Sequence, residues 1–250
     1  MNRRELTKGT CALLMAHSLH ASAIHPGVVA LQRSGPPQAS AHKTVAGVRL
    51  VDSALASKAT ELARGCSPEF LFNHAMRTYL FGAITGRSQG LQFDEELLYV
   101  SSVLHDVGLT EKFMGLLPFE IQGAQAASEF LKREGVPENQ RDIVWDGIAM
   151  HASVIGGFKR PEISLVGAGA GCDVVGPDLT HVTRQQVEEV VHAFPRLNFK
   201  TEFVKTCVTV IRRYPAAARN GFMRDIRDRY MPDFHGPNIC DKIAESDFDE

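Results

Sequence analysis

From about Val48 onward the chain is cut by proline and glycine into stretches that carry the 3.6-residue spacing of a helix. None of them shows the sustained apolar–polar alternation of a strand. That pattern restricts the fold to an all-α assembly. Ser67 reads as an N-cap with Pro68 at the first helical position, and the helix that follows runs to about Thr85. Asp94, Glu95 and Glu96 place negative charge at the start of a second helix, which Gly108 ends. Pro118 opens a third helix, closed by Gly135, and Pro137 opens a fourth that reaches about His151. Pro161 begins an apolar segment stopped by Gly176-Pro177, and Thr183 with Gln186 forms a capping box for the next helix. Two more helices are expected over 199–214 and 215–231, split by Pro215. The expectation is a single helical domain over 46–244, with an acidic tail at 245–250.

Composition excludes several classes. With 250 residues and 44% hydrophobic side chains, the chain has ample material for a packed core. Twenty-seven basic residues stand against 29 acidic ones, a net charge of -2. That near-balance argues against a largely disordered chain, and equally against a nucleic-acid binder, which needs a basic excess. No apolar run approaches the roughly 18 residues of a membrane span. The expected partner is a small-molecule substrate, with no nucleic acid and no membrane, and a homo-oligomer is left open.

The N-terminus is set apart. Arg3-Arg4 opens a basic stretch ending near Lys8, followed by Cys11-Ala-Leu-Leu-Met-Ala16 and then Ala21-Ser22-Ala23. Basic, apolar, then small-x-small is the layout of a secretory signal, and Arg3-Arg4-Glu5-Leu6-Thr7-Lys8 resembles the bacterial twin-arginine export motif. His17 and His20 interrupt the apolar part, and a second Ala-Ser-Ala stands at 39–41. Residues 1–23 are therefore read as a signal-like segment and 24–45, rich in Pro, Gly, Ser and Ala, as a linker. A cleaved signal implies a periplasmic or secreted protein, and an uncleaved one a cytoplasmic protein. The five cysteines form no Cys-x-x-Cys pair, so they are read as thiols without a metal or dithiol role.

The chemistry-bearing residues fall on separate helices. His74 lies mid-helix in Asn73-His74-Ala-Met-Arg77, His105-Asp106 is an adjacent pair in Val103-Leu-His-Asp-Val-Gly108, His151 ends the fourth helix, and Asp173 follows Gly171-Cys172. Adjacent residues on a helix point about 100° apart, so His105 and Asp106 reach one point only if it lies close to the helix face. A metal ion between packed helices meets that condition, and imidazole with carboxylate suits zinc, iron or manganese.

In that order and at those helical places, the set resembles the HD-domain superfamily of metal-dependent hydrolases, over roughly 48–180. The resemblance implies metal ligation by His74, His105, Asp106 and Asp173. Pro118-Phe119-Glu120-Ile-Gln-Gly123-Ala124 followed by a lone His151 looks like the cyanamide hydratase-like branch. Phe119 and Glu120 stand where two-metal branches place further histidines, which points to one divalent ion. A divalent ion of this kind brings the pKa of bound water from 15.7 to about 7. Glu120 and His151 are candidates for proton transfer, and Arg77 and Lys112 for holding an anionic substrate.

Each residue also has a plainer reading. His74 among Phe70, Phe72, Tyr79 and Phe81 fits a core histidine, and Glu120 fits a helix-dipole partner. Arg77 and Lys112 fit salt bridges, and His181, His192 and His235 fit the surface. The run Gly167-Ala-Gly169-Ala-Gly171-Cys172 imitates a dinucleotide loop but has Cys172 where the third glycine belongs. Its small residues fit two helices in close approach. The leading expectation is a metal-dependent hydrolase acting on a small molecule such as a phosphate ester. The alternatives are a hydratase adding water to a nitrile and a non-catalytic ligand-binding sensor.

Overall fold

The computed structural model describes residues 43–219, 221–234 and 239–246. The signal-like segment 1–23 and most of 24–45 lie outside the described residues, as do Cys11 and His235. The last residues of the linker reading are not linker: β1 (Thr44–Val45) pairs antiparallel with β2 (Val48–Arg49), Thr44 opposite Arg49 and Val45 opposite Val48. Ala46 and Gly47 turn the chain with φ of 50° and 77°, the positive values a two-residue hairpin loop requires.

Everything else in the described residues is helix or turn. α1 (Ala54–Cys66) starts at Ser53, whose hydroxyl accepts from the Ala56 amide, and buries Ala56, Ala59 and Ala63 along one face. Ser67 closes α1 rather than opening the next helix: its amide bonds back to the Ala63 carbonyl. Pro68 is then the extended residue before α2 (Glu69–Ser88), and Pro118 and Pro137 stand in the same way before α4 (Phe119–Arg133) and α5 (Glu138–Met150). Only Pro161 enters its helix, at the first turn of α6 (Pro161–Val175). α3 (Glu95–Leu104) is capped by Asp94, which accepts from the Glu96 and Leu97 amides. It stops four residues short of Gly108, which sits instead in a 3₁₀ turn (Val107–Leu109). A second 3₁₀ turn (Val154–Phe158) follows α5. The capping box of Thr183 and Gln186 opens α7 (Arg184–Ala193) as expected. α8 (Phe199–Arg213) is followed by a 3₁₀ turn at Pro215–Ala218, then by α9 (Gly221–Tyr230) and α10 (Ile239–Ala244).

α2 is the axis of the fold. It is buried continuously from Phe70 to Gly86 and packs against both α3 and α6, as a helix that is apolar on every side must. The α2–α6 contact explains the glycine-rich run. The segment is helical, not strand and loop, and a Cβ on Gly169 would stand 2.0 Å from the Thr78 carbonyl oxygen. The two backbones touch where a side chain would sit.

Two apolar cores result. The larger joins α1 through α7 around Tyr79, Leu80, Leu98, Leu104, Leu131 and Ile148. The smaller lies between α8 and α9, with Phe199, Phe203, Cys207 and Met223, and includes Phe70, Leu71, Leu109 and Phe119 from the main bundle. The candidate metal ligands lie at the seam, since His74 on α2 packs its ring against Phe199 and Phe203 at centroid distances of 4.7 and 5.9 Å.

Candidate metal centre

His105 and Asp106 reach one point because the helix ends between them. His105 is the C-cap of α3, and Asp106 turns out of the helix at φ −104°, ψ 8°. The expectation that both are on a continuous helix is corrected here: the change from α to 3₁₀ supplies the convergence. The turn is fixed from outside, because a Cβ on Gly108 would lie 1.9 Å from the Phe119 carbonyl oxygen of α4.

His151 repeats the arrangement at the end of α5. The Nδ1–H of His105 donates to the Ser102 carbonyl at 2.7 Å, and that of His151 to the Ile148 carbonyl, also at 2.7 Å. These carbonyls belong to the last turn of each helix, where backbone acceptors lack helical partners. A carbonyl can only accept, so both rings carry their proton on Nδ1 and present the Nε2 lone pair inward. His74 does the same by another route: its Nδ1–H donates to Asp173 Oδ2 at 2.7 Å.

Three Nε2 atoms thus converge on Asp106. His74 Nε2 lies 3.4 Å and His105 Nε2 3.2 Å from Asp106 Oδ2, with 3.2 Å between the two nitrogens. His151 Nε2 lies 3.7 Å from the other carboxylate oxygen. The Oδ2 atom is buried and has no hydrogen-bond partner among the described residues. Such a set demands positive charge at its centre. Metal–ligand bonds of about 2.0–2.2 Å place the ligand atoms of a tetrahedral ion about 3.3–3.6 Å apart, close to these separations. The ligand atoms of His74, His105 and Asp106 all lie within 4.8 Å of one another. The residues fit a divalent ion.

The electrostatics agree. Burial opposes the Asp106 charge, yet His105, His74 and His151 together hold its carboxyl well below the ordinary carboxylate range. His105, which burial alone would depress, is held above its usual value by Asp106. Burial pushes His74 down despite the Asp173 bond, and takes His151 to about 4 with His105 adding to the effect. His74 and His151, held neutral, and the ionised Asp106 are in the protonation states a metal requires, while His105, raised, would release its proton on binding one.

Asp173 stands elsewhere than the sequence reading puts it. Its Oδ2 accepts from His74 Nδ1 and from Arg77 Nη2 at 2.8 Å, while Oδ1 accepts from Arg77 Nε at 2.9 Å and from Arg196 Nη1. Both oxygens are engaged on the Nδ1 side of His74, opposite the Nε2 that faces Asp106, so the carboxylate orients a candidate ligand and is not part of the converging cluster. Arg77 is fully buried and uses its remaining nitrogen on the Phe194 and Pro195 carbonyls at 2.9 and 3.2 Å. Four of its five N–H donors are taken and the side chain is fully buried, so it is not presented to a substrate anion, which corrects that expectation. Lys112 is exposed, its Nζ 5.1 Å from the ring centroid of its neighbour Phe113.

Glu120, in the first turn of α4, is brought toward the site: burial raises its carboxyl to about 7, and the charge of Asp106 adds to the rise. Sequence reasoning missed Arg196 and the phenyl rings of Phe199, Phe203 and Phe222. Phe199 and Phe203 are four apart on an amphipathic helix, a spacing that signals core packing and nothing more. Cys66, Cys172 and Cys207 are free thiols, and burial pushes Cys207 up. His192 is exposed as expected, while His181 is half-buried with its Nδ1 3.2 Å from the Ser88 hydroxyl.

Among known proteins, no family model matches the chain. Over 153 residues it is 28% identical to Cyanamide hydratase DDI2 and, equally, to Cyanamide hydratase DDI3, both of Saccharomyces cerevisiae (strain ATCC 204508 / S288c). Each match covers 58% of this chain and 67% of the relative.

Proposed function

We propose that this chain is a metal-dependent hydratase that adds water across the carbon–nitrogen triple bond of a small uncharged nitrile of the cyanamide class. The observation that carries the reading is the convergence of the His74 and His105 Nε2 lone pairs on the unsatisfied Asp106 Oδ2, with His151 Nε2 facing the other carboxylate oxygen, inside a seam walled by phenyl rings. The similarity to two cyanamide hydratases supports the same chemistry. One divalent ion would be held by His74, His105 and Asp106, which leaves a position open for water, with His151 beside it. When bound, such an ion acts as a Lewis acid toward water and toward a nitrile nitrogen.

The protein groups divide the remaining work. Asp173, itself gripped by Arg77 and Arg196, keeps the His74 proton on Nδ1 and its ring fixed. Hydration removes one proton from the water oxygen and delivers one to the nitrile nitrogen, giving an amide after tautomerisation, or urea from cyanamide. Glu120, raised to about 7, both takes and returns a proton near neutral pH. Phe119 and Phe199 exclude bulk water from the imidazole row, packing at 5.6 Å on His151 and 4.7 Å on His74.

The phosphate-ester alternative is less well supported, because Arg77 and Arg196 are both engaged by Asp173 and Lys112 lies on the exposed surface against Phe113. Metal-reconstituted protein given cyanamide and a panel of phosphate esters in parallel tests the choice. Urea formation without phosphate release is expected. Phosphate release without urea would overturn the hydratase reading, and equal metal content in parent and Asp106→Ala protein would overturn the site.

A further inference from the structure

The His74, His105 and His151 imidazoles belong to a closed circuit of aromatic rings. Ring centroids lie 5.0 Å apart between His74 and His105, and 4.7 Å between His105 and His151. The path continues from His151 to Phe119 at 5.6 Å, to Phe222 at 5.5 Å, to Phe203 at 6.0 Å, and returns to His74 at 5.9 Å. Every step is within the range of direct ring contact, so no neighbouring pair leaves a gap. Half of the circuit is imidazole, with Nε2 atoms turned to Asp106. The other half is phenyl, with neither donor nor charge.

The members are not equally enclosed. Phe119, Phe203, His74 and His105 are buried, and the His151 side chain is 6% exposed. Of the three phenyl rings, Phe222 alone is half-buried, and the only other half-buried member of the circuit is His151. It is carried by α9, which joins the bundle through the smaller core.

We propose that Phe222 is the residue that selects substrate by size and charge at the mouth of this site. It admits uncharged, rod-shaped molecules of a few heavy atoms and turns away bulkier nitriles and oxyanions. A branched substituent reaching past the phenyl half must displace a ring held by two ring contacts. A charged oxyanion must leave water for a wall that offers it no hydrogen bond, a heavy desolvation cost. The substrate class rests on the hydratase reading, whereas the position of Phe222 at the mouth does not.

The test uses the metal-loaded full chain as parent, Phe222→Ala, Phe222→Leu and Leu131→Ala, the last destabilising the main core far from the circuit. Two quantities are read: the rate of metal loss to 1,10-phenanthroline, and kcat/KM for dimethylcyanamide relative to cyanamide. Opening the mouth should raise the dimethylcyanamide ratio by about 10- to 200-fold, the range that apolar pocket contacts discriminate. Metal loss should accelerate in parallel in Phe222→Ala, while Phe222→Leu and Leu131→Ala stay close to the parent. If cyanamide is hydrated but the ratio does not move in Phe222→Ala, the selecting role is refuted, whatever the metal-loss rates. If Leu131→Ala releases metal as fast as Phe222→Ala, the effect is general loosening and the proposal also fails. If the parent hydrates neither nitrile while metal loss accelerates in Phe222→Ala alone, the hydratase reading fails and Phe222 stands as the gate of a different small-molecule site.

Discussion

The chemistry of the cluster depends on which nitrogen of each imidazole carries its proton. His105 and His151 are locked by carbonyls of their own helix ends, so no side-chain change nearby alters them. His74 is locked by Asp173, which a single substitution removes. Asp173→Asn should therefore keep the metal but weaken its affinity by about 10–100-fold, the usual cost of losing a carboxylate behind a ligand histidine. Asp106→Ala should abolish stoichiometric binding. Competition with a chelating dye separates the two, and loss of binding in Asp173→Asn as complete as in Asp106→Ala would make Asp173 a ligand after all. The same substitution leaves the buried Arg77 guanidinium without its counter-charge, so a stability loss of about 3–5 kcal/mol is expected by denaturant titration. His74, His105 and Asp106 were legible in the sequence because their types and order carry the signal. The function of Asp173 was not, since it depends on which side of His74 the α6 backbone arrives. Nor was that of Phe222, which acquires its role only from contact with Phe119 and Phe203.

The same arrival of α6 is set by backbone contact between elements. Gly169 and Gly171 lie two residues apart in one helix and have opposite surroundings. A Cβ at 169 would strike the Thr78 carbonyl oxygen at 2.0 Å, while a Cβ at 171 would meet nothing within 4 Å. Gly171→Ala should stabilise the protein by about 0.5–1 kcal/mol, the helix-interior advantage of alanine over glycine. Gly169→Ala should destabilise it by about 1–3 kcal/mol or more, because two backbones must separate. It should also weaken metal binding, since Asp173 lies one turn further on and would withdraw from His74. Thermal melts and chelator competition on the two variants check both directions, and equal stability changes would refute the close-contact account. This part of the fold was readable in advance: a run of small residues between helical segments predicts close approach. The ends of the elements were not. Pro68, Pro118 and Pro137 are compatible with both the first helical position and the residue before it, and Gly108 serves α4 packing instead of closing α3.

At the scale of the whole molecule, the candidate centre joins several separate elements of the bundle. His74 sits on the central helix, His105 and Asp106 at the end of α3, and His151 at the end of α5, with the smaller core closing over them. A ligand bound only by the folded state adds about 2.7 kcal/mol of stability when present at 100 times its Kd. Zinc, manganese or iron(II) should accordingly raise the thermal midpoint at pH 7.5, and a chelator should reverse the rise. The pH dependence follows from the depressed imidazoles. His151 titrates at about 4 in the fold, and unfolded histidine near its ordinary value of 6.5. Between those values the unfolded chain binds the proton that the folded chain refuses, so stability falls as pH drops from 6.5 through 4. His74, depressed in the same direction, adds to the fall. Protons compete with the metal for the same Nε2 lone pairs, so the metal-loaded protein loses this stability together with its metal. The midpoints of loaded and chelated protein should differ most above pH 7 and converge as pH approaches 4. In Asp106→Ala protein they should coincide throughout. A difference between loaded and chelated protein that stayed constant from pH 7.5 to 4 would mean that the stabilising ion binds somewhere other than these imidazoles.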